Sequence, residues 1–561
     1  MTGASFWTEP DGESALQVFP APVQAVQNAL GRCAMYDVII RNGRVYDGTG
    51  APWLRADLGV KDGKIATVGV IECCDAKRVI DATGLAVSPG FIDTHTHSDL
   101  SFLVDPCADS KIKQGVTLEV SGNCGGSDAP VTEKSRAQTE KGLKEVGLEL
   151  TWTSFGQYLE RVEARGTSVN WMCLVGHGTI RNGVMGYDKR PPTPEELEKM
   201  KALVAQAMDE GAIGMSTGLL YAPGSFADTA EVIELAKVAA AKNGYYFSHI
   251  RSSDDGLIES VAEAIEIGEK GGLPAHLAHH KATGRRNWGK VGQTFEMMEK
   301  ARQRGVDITA DQYPYTASSS SLASTLRTWV HEGGRNAILA RLKDPDTRAR
   351  IKKEFTEDIE MLAGWKGYFI ARVGSEKNKK YEGRNLADIA AELGKDPCDA
   401  AIDLMIEENL DVGRVRFGMC EEDVQTVMKS PLVMVGSDGS SLKDRGPLRS
   451  GVPHPRSFGT FPRVLGKYVR EEKVLTLQEA LRKMTSLPAW RLGLSDRGIL
   501  RPGMCADITI FNPDTVKDGA GFGDPFKYPV GIPYVLVNGQ IIVDMGEHTG
   551  VVAGKVLRRR A

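Results

Sequence analysis

The sequence of 561 residues predicts an α/β protein, a (β/α)₈ TIM-like barrel with a small β-sandwich domain. Two observations predict this fold. In the middle of the chain, eight apolar strand candidates that end in polar residues alternate with amphipathic helices. At both ends of the chain, short alternating β runs are broken by turn signals, and two such segments can pair into one sandwich. No G-x-G-x-x-G fingerprint follows a strand, which disfavours a doubly wound open sheet.

The predicted domain boundaries follow these changes in pattern. Residues 1–34 form an extension rich in Ala, Pro and Gln, of unassigned role. Segments 35–85 and 496–555 make up the β-sandwich domain, because both carry the short-strand pattern. Residues 86–495 form the barrel, and a long, charge-rich stretch with helical runs at about 326–430 is an insertion between its seventh and eighth strands.

Local signals place the individual elements. Thr193 begins a capping box and Pro194 occupies the first helical position, so a helix starts there, and Gly211 ends it. The next helix opens at Asp228 and closes at Asn243-Gly244. Turn dipeptides typical of hairpins divide the N-terminal β segment: Asn42-Gly43, Asp47-Gly48 and Asp62-Gly63. The strand candidates of the barrel are AVSPGFIDTHTH, VTLEVSGNC, NWMCLVGH, AIGMSTG, YYFSHIR, PAHLAHHK, DITADQYPY and LVMVGSD.

The composition excludes several classes of function. A net charge of −4 offers no basic surface for nucleic acid, and no apolar run approaches the ~20 residues that span a bilayer. The first 34 residues carry acidic residues and no apolar signal-peptide core, which favours a cytoplasmic location. The nine cysteines are scattered and odd in number, a pattern typical of reduced thiols. Oligomeric state is left open.

Histidines lie at or near the ends of several predicted strands. His95 and His97 are two residues apart, so their imidazoles project to the same face of a strand, either as metal ligands or as two satisfied polar side chains. If the barrel forms, the strand ends that carry His249 and His279 meet at the same mouth. His279 and His280 point in opposite directions, and either could be the ligand. His276 stands at the start of its strand and is expected away from the mouth, and His331, His454 and His548 lie in loops.

A cysteine and three acids complete the set of candidates. Cys124 ends the second strand in SGNCGG, where it is either a buried thiol or a thiolate that binds zinc with imidazoles. Asp438 emerges from the apolar strand LVMVGSD and is costly to bury unless it is paired or ligated. Asp93 and Asp311 are also strand-end acids, and nothing local separates them from Asp438.

The ordered motifs resemble a known family. GFIDTHTHSD, single histidines at the fifth and sixth strands and an aspartate at the eighth are similar to the metal-dependent amidohydrolase superfamily. GNCG, LVGHGTIR, GAIGMSTGLLYAPG, DQYPYTAS, GSDG and HPRSFGTFPRVL resemble its D-aminoacylase branch, the N-acyl-D-amino-acid deacylases, over roughly residues 36–555.

The resemblance implies a metal site and a catalytic acid/base. Cys124 takes the place where many relatives use a carboxylated lysine. The histidine-x-lysine pattern at His279-His280-Lys281 matches His279 as the ligand. The implied set is one tight Zn²⁺ site of Cys124, His249 and His279, a second, weaker metal position at His95 and His97, and Asp438 as the proton shuttle.

The resemblance also implies a clamp for the carboxylate of the amino acid. Arg456, Lys281, Tyr313 and Ser319 match its positions, and a planar guanidinium suits bidentate carboxylate binding. His177 and Arg181 belong to a matching motif without an assigned role.

The implied activity is zinc-dependent hydrolysis of N-acyl-D-amino acids, with a small N-acyl amino acid as the partner. The alternatives are another amidohydrolase activity, of the cyclic amidase/hydantoinase or dipeptidase type, and a catalytically silent scaffold of the same fold. Cys124 and the clamp disfavour a cyclic amidase. The complete set of ligands and Asp438 disfavours the scaffold, because a silent copy is free to lose any of them.

Overall fold

The computed structural model describes residues 35–72 and 75–559, so the predicted extension 1–34 lies outside the described residues. Numbered in chain order, the strands are β1 (Tyr36–Val45), β2 (Leu54–Lys61), β3 (Lys64–Gly69), β4 (Ala76–Asp81), β5 (Ala86–Pro89), β6 (Phe91–Asp93), β7 (Val116–Ser121), β8 (Asn170–Cys173), β9 (Val175–Gly176), β10 (Gly214–Gly218), β11 (Tyr245–His249), β12 (Ala275–Leu277), β13 (Ile308–Gln312), β14 (Ala317–Ser321), β15 (Tyr368–Val373), β16 (Val412–Phe417), β17 (Val433–Val435), β18 (Ile508–Phe511), β19 (Tyr534–Val537), β20 (Gln540–Asp544) and β21 (Glu547–His548).

The α-helices are numbered in the same way. They are α1 (Ser101–Val104), α2 (Asp109–Ile112), α3 (Glu133–Glu145), α4 (Phe155–Arg165), α5 (His177–Met185), α6 (Pro194–Asp209), α7 (Thr229–Ala241), α8 (Leu257–Gly271), α9 (Val291–Gln303), α10 (Gly334–Lys343), α11 (Pro345–Leu362), α12 (Leu386–Leu393), α13 (Pro397–Glu407), α14 (Glu421–Lys429), α15 (Arg456–Arg463), α16 (Leu477–Met484) and α17 (Ser486–Arg491). Helix α15 continues into a π-helical segment at Val464–Glu471.

Parallel strands alternating with helices make the described chain an α/β protein, as the sequence predicts. One parallel sheet has the order β17-β13-β12-β11-β10-β9, and a second has the order β6-β7-β8. Only Leu174 separates β8 from β9, so the predicted strand NWMCLVGH is one extended segment that serves both sheets. The segments after β6 and β17 are also joined, because Asp438 N donates to His95 O at 2.8 Å and His97 N donates to Gly439 O at 2.9 Å.

The carboxyl ends of these strands carry the polar residues that the sequence analysis selected. Strands β7, β10, β11 and β13 are buried along their whole length, because helices or further strands cover both of their faces. The predicted helix start is confirmed at α6, where Thr193 caps the helix by accepting from Glu196 N at 3.2 Å. Asp228 caps α7 in the same way, accepting from Glu231 N at 2.8 Å.

The two ends of the chain meet in one nine-stranded sheet. Eight of its strands have the order β21-β20-β19-β18-β5-β1-β2-β3, and the ninth, β4, pairs with β1. Strand β18 pairs antiparallel with β5, which joins the C-terminal strands to the N-terminal ones. The sheet branches at β1, which pairs with β2, β4 and β5. Where the sequence predicts a sandwich, the described strands are therefore hydrogen-bonded into one continuous sheet around a shared apolar core.

The segment between β13 and α14 builds a unit of its own. Strands β14, β16 and β15 form an antiparallel sheet, and helices α10 to α13 pack with it around a separate hydrophobic core. The sheet begins at Ala317 and ends at Phe417. Helix α14, which the sequence analysis placed inside the insertion at 326–430, packs instead against α9 and β17.

Candidate metal centre

The thiol of Cys124 lies at the centre of a group of imidazoles. Its Sγ is 3.3 Å from His95 Nε2, 3.3 Å from His249 Nδ1 and 3.5 Å from His279 Nε2. The last two histidines are also close to each other, with 2.8 Å between His279 Nε2 and His249 Nδ1. These residues lie at the ends of β6, β7, β11 and β12, so four strands each supply one donor to a single point.

The carboxylate of Asp438 borders this group from the end of β17. Its Oδ1 is 3.0 Å from His97 Nε2 and 3.5 Å from His95 Nε2. Donor atoms of His95, Cys124, His279 and Asp438 all lie within 4.8 Å of one another. His97 thus pairs with Asp438 and also interacts with Cys124, which His95, its predicted companion at a weaker position, contacts as well.

Three of these residues hold their donors in place with unusual backbone. Cys124, His279 and Asp438 have φ values of 53°, 38° and 51°, in the left-handed region that side chains rarely adopt. Such conformations persist only where the surrounding structure imposes them, and they are concentrated at functional sites. At Cys124 the reason is close packing, because a Cβ on Gly218 of β10 would overlap the Cys124 carbonyl oxygen.

The electrostatics of the group favour ionised Cys124 and Asp438. Burial by itself would raise the pKa of the Cys124 thiol, but the neighbouring imidazoles of His95, His249 and His279 hold this pKa well below its ordinary value. Burial would likewise raise the pKa of Asp438, but the Arg456 guanidinium, followed by His279, holds it well below its ordinary range. A thiolate and a carboxylate thus face the same small space.

The donor set fits a zinc ion. A thiolate with imidazoles and a carboxylate is the ligand chemistry that Zn²⁺ prefers, and two anionic donors balance its charge. Outside this group, the described residues contain one further cluster of this kind, Asp105, Cys107 and Asp109, and there the Lys443 ammonium ion pairs with both carboxylates.

The structure separates the three strand-end acids that the sequence left equivalent. Only Asp438 borders the cavity. Asp311 Oδ2 lies 3.3 Å from His95 Nδ1 and 2.7 Å from His276 Nε2, so it orients the ring of His95 from behind. His276, expected to lie away from the mouth, is absent from the cavity lining, but its ring reaches Asp311 from the adjacent strand.

Asp93 has a structural role beside the same site. Its Oδ2 accepts from the buried Lys111 Nζ at 2.8 Å, and its Oδ1 accepts from Ser437 N at 2.8 Å. These contacts hold the segment before Asp438 against β6. Neither Lys111 nor Ser437 had a sequence signal, since their contact with each other joins residues 326 positions apart.

The predicted clamp residues lie around a cavity of about 260 Å³ that also exposes His97, Cys124 and Asp438. Lys281 Nζ is 2.7 Å from His279 Nδ1, and it lies over the ring of Tyr313, 5.5 Å from its centroid. Arg456 Nη1 donates to Asp438 Oδ2 at 2.6 Å, and its Nη2 lies 3.4 Å from Ser319 O. Arg456 is thus shared between the predicted acid/base and the predicted clamp.

The remaining histidine motif is structural. His177 Nε2 lies 2.8 Å from Glu231 Oε1, and Arg181 Nε donates to the same oxygen at 3.1 Å. All three side chains are buried and tie α5 to α7. His280 points away from the metal group, with its Nε2 2.7 Å from Thr294 Oγ1 on α9.

Sequence reasoning missed several cavity residues, among them Arg414 and Arg416 of β16. They lie in the insertion, roughly 100 residues after Ser319 of the predicted clamp, and nothing in their local sequence indicates that β16 pairs with β14. Their alternation across Val415 was the one signal available, because residues two apart in a strand share a face.

The fold and the site together define a class: α/β proteins whose parallel strand ends converge on a buried group of metal-binding side chains. The family model described as "Amidohydrolase family" matches residues 78–543 of this chain. The chain is 37% identical over 525 residues to N-acyl-D-glutamate deacylase from Alcaligenes xylosoxydans xylosoxydans, and the match covers 94% of this chain and 97% of the relative. D-aminoacylase from the same organism is 36% identical over 526 residues, covering 94% and 98%.

A solved structure agrees with these matches. The N-acyl-D-glutamate deacylase of Bordetella bronchiseptica, complexed with zinc and a phosphonate mimic of the tetrahedral intermediate, superposes with a TM-score of 0.80 at 36% identity. The superposition covers 94% of this chain and 100% of the Bordetella bronchiseptica chain. The chain belongs to the amidohydrolase family, in the branch that contains D-aminoacylase. Among its described residues, no helix has the length and apolarity to cross a bilayer.

Proposed function

We propose that this protein is a zinc-dependent hydrolase that cleaves N-acyl-D-amino acids to a carboxylate and a free D-amino acid. The observation that carries the proposal is the convergence of Cys124, its imidazole neighbours and Asp438 at one cavity. The two deacylase relatives, which match nearly the whole chain, support the D-amino-acid class of substrate.

In this proposal the metal ligands form two positions. Cys124, His249 and His279 hold zinc tightly, because a thiolate supplies the anionic charge that neutral imidazoles lack. His95 and His97 contribute to a second, weaker position. When bound, zinc polarises the scissile carbonyl and lowers the pKa of water toward about 7.

Asp438 moves the proton. Because Arg456 and His279 stabilise its charged form, the carboxylate is unprotonated, the state in which it can accept a proton from the attacking water. It then delivers this proton to the amide nitrogen as the bond between nitrogen and the acyl carbon breaks. The water oxygen ends in the new carboxylate, and the nitrogen leaves as the amine of the amino acid.

The α-carboxylate of the substrate is assigned to the clamp of Arg456, Lys281, Tyr313 and Ser319. The Arg456 guanidinium donates to Asp438 with one nitrogen and lies near Ser319 with the other, so it links the two tasks. Burial lowers the pKa of Lys281 to about 8 although Asp438 opposes this shift, so the Lys281 ammonium gains from an anionic ligand.

The proposal also includes the closure of the barrel and the division of the chain into domains. We infer that the eight parallel segments β6, β7, β8–β9, β10, β11, β12, β13 and β17 close into a (β/α)₈ barrel through the bonds between His95 and Asp438 and between His97 and Gly439. Segments 35–85 and 496–555 then form the second domain, with 86–495 as the barrel. The insertion supplies β14 and β16 to the wall of the cavity.

Paired substrates test this function. Zinc-loaded protein is assayed against the N-acetyl-D- and N-acetyl-L- forms of neutral, acidic and basic amino acids, and turnover of the D series is expected. Turnover of only the L series refutes the D assignment and leaves the metal chemistry standing. No turnover of any substrate by the zinc-loaded protein refutes the enzyme assignment and favours the silent scaffold.

A further inference from the structure

Two arginines of the insertion face the cavity from one side of a sheet. The register of β14 and β16 places Ser318 opposite Arg416 and Ser320 opposite Arg414. Residues two apart in a strand project to the same face, so both guanidinium groups lie on the side that the two serines occupy. All four side chains line the 260 Å³ cavity that contains Asp438.

These two guanidinium groups lack an anionic partner among the described residues, although Arg414 is buried with its guanidinium over the ring of Tyr368, 5.6 Å from the centroid, and Arg416 is partly exposed. Arg414 is 4% exposed, and its Nε donates to Thr325 Oγ1 at 3.2 Å. Arg414 Nη1 and Arg416 Nε are buried and make no hydrogen bond within the described residues. Neither arginine forms an ion pair with a described carboxylate, whereas Arg456 pairs with Asp438. Burying a cation without an anionic partner costs free energy, so such an arrangement is typical of a site that binds an anion.

The charge balance of the cavity also indicates an anionic ligand. Its lining contains the cations Lys281, Arg414, Arg416 and Arg456, against the Asp438 carboxylate and the Cys124 thiolate as anions. Burial, followed by repulsion from Arg416, lowers the pKa of Arg414 to about 10. One substrate carboxylate on the clamp of Arg456 and Lys281 leaves the other two cations without an anionic partner. A second anionic group would provide one.

We propose that Arg414 and Arg416 bind a second carboxylate of the substrate, the one on an acidic side chain. The protein then acts on N-acyl derivatives of acidic D-amino acids in preference to neutral ones. Planar guanidinium groups suit this role, because they form bidentate hydrogen bonds with a carboxylate. The inference rests on the proposed function, and it assigns the specificity of the same site. A dicarboxylic acyl group would present the same chemistry, so the test includes it.

The test compares substrates of equal shape. The zinc-loaded full-length protein is assayed with N-acetyl-D-glutamate and N-acetyl-D-glutamine, which differ only in the charged group. We expect kcat/KM to be higher for glutamate by about 100-fold, the order of magnitude for a charge-assisted pair in a buried site. Equal or faster turnover of glutamine overturns the inference. If neither substrate nor any other N-acyl-D-amino acid reacts, the proposed function fails instead.

Variants locate the effect. Arg414→Met and Arg416→Met should each lower the ratio of the two kcat/KM values by about 10-fold or more. The matched control is Arg372→Met on β15, whose side chain is exposed and ion-paired with Asp411, and it should keep the ratio. Arg416→Lys retains the charge and should lose less than Arg416→Met. An unchanged ratio in both methionine variants, with zinc content and circular dichroism as in the parent, overturns the role of these arginines.

A second pair of substrates distinguishes the source of the carboxylate. N-succinyl-D-leucine and N-acetyl-D-leucine differ in the acyl group alone. We expect the succinyl group to give no gain that depends on Arg414 or Arg416. If the succinyl substrate is preferred by 10-fold or more and this preference disappears in Arg416→Met, the arginines bind the acyl group, and the side-chain assignment is wrong.

Discussion

At the scale of single residues, the site depends on charges that stabilise one another. Asp438 is buried and Cys124 is partly buried, and each stays ionised because of cationic or imidazole neighbours. Asp311 and Asp93 do not border the cavity, but they orient His95 and the segment before Asp438. Removing a metal ligand, the proton shuttle or an orienting residue should therefore produce three different defects.

Cys124→Ala should abolish tight zinc binding and lower kcat/KM by a factor of about 1,000 or more, because the site loses its anionic ligand. Zinc per chain by atomic emission and hydrolysis of an N-acyl-D-amino acid provide the measurements. Cys398→Ala is the control, since Cys398 lies in the core of the insertion. A Cys124→Ala protein that retains both metal and rate would show that the thiol is not a ligand.

Asp438→Ala should keep its zinc and lose turnover, by about 1,000-fold or more, because the proton of the attacking water has no acceptor. The same two measurements, made side by side with Cys124→Ala, separate the roles of ligand and base. Loss of zinc together with activity would contradict the separation.

Asp311→Asn should weaken zinc binding at the second position, to which His95 contributes, by 10- to 100-fold, because the ring of His95 loses the carboxylate that orients it. A chelator competition measures zinc affinity directly. The control is Asp524→Asn, which removes an exposed carboxylate paired with Lys527. Unchanged zinc affinity would leave Asp311 with a purely structural role.

At the scale of elements, the sequence predicts the capping residues of helices and the ends of strands, but it does not predict which strands pair. Thr193 and Asp228 begin their helices as predicted, because an N-cap side chain acts on the backbone three residues away. The contact of His276 with Asp311 was not predictable, since it depends on the register between β12 and β13. Arg414 and Arg416 were missed for the same reason, because the antiparallel pairing of β14 with β16 spans about 100 residues.

The close approach of two elements gives a prediction of its own. Gly218→Ala would force a Cβ into the Cys124 carbonyl oxygen, so the loop after β7 must shift and carry the thiol with it. We expect lower zinc content and at least a 10-fold loss of kcat/KM, since displacement of a ligand by a fraction of an ångström misaligns the site. Gly126→Ala is the control, because its Cβ would meet only Asn123 O, at 3.8 Å. Parental zinc content in Gly218→Ala would contradict this packing argument.

At the scale of the whole molecule, the candidate site draws on segments from His95 to Arg456. The α/β class and the residues at the strand ends follow from local patterns, because parallel strands place their carboxyl ends at one edge. The single branched sheet at the chain ends does not follow from such patterns, since β18 pairs with β5 across more than 400 residues. The role of the insertion in the cavity wall is likewise a property of the complete fold.

Zinc titration of chelator-treated protein tests the central claim most directly, with hydrolysis of an N-acyl-D-amino acid as the readout. The account predicts an inactive metal-free protein whose activity returns as zinc is added and is complete at about one zinc per chain, since Cys124, His249 and His279 form one tight site. Metal-free protein that gains no hydrolytic activity with zinc would contradict the account.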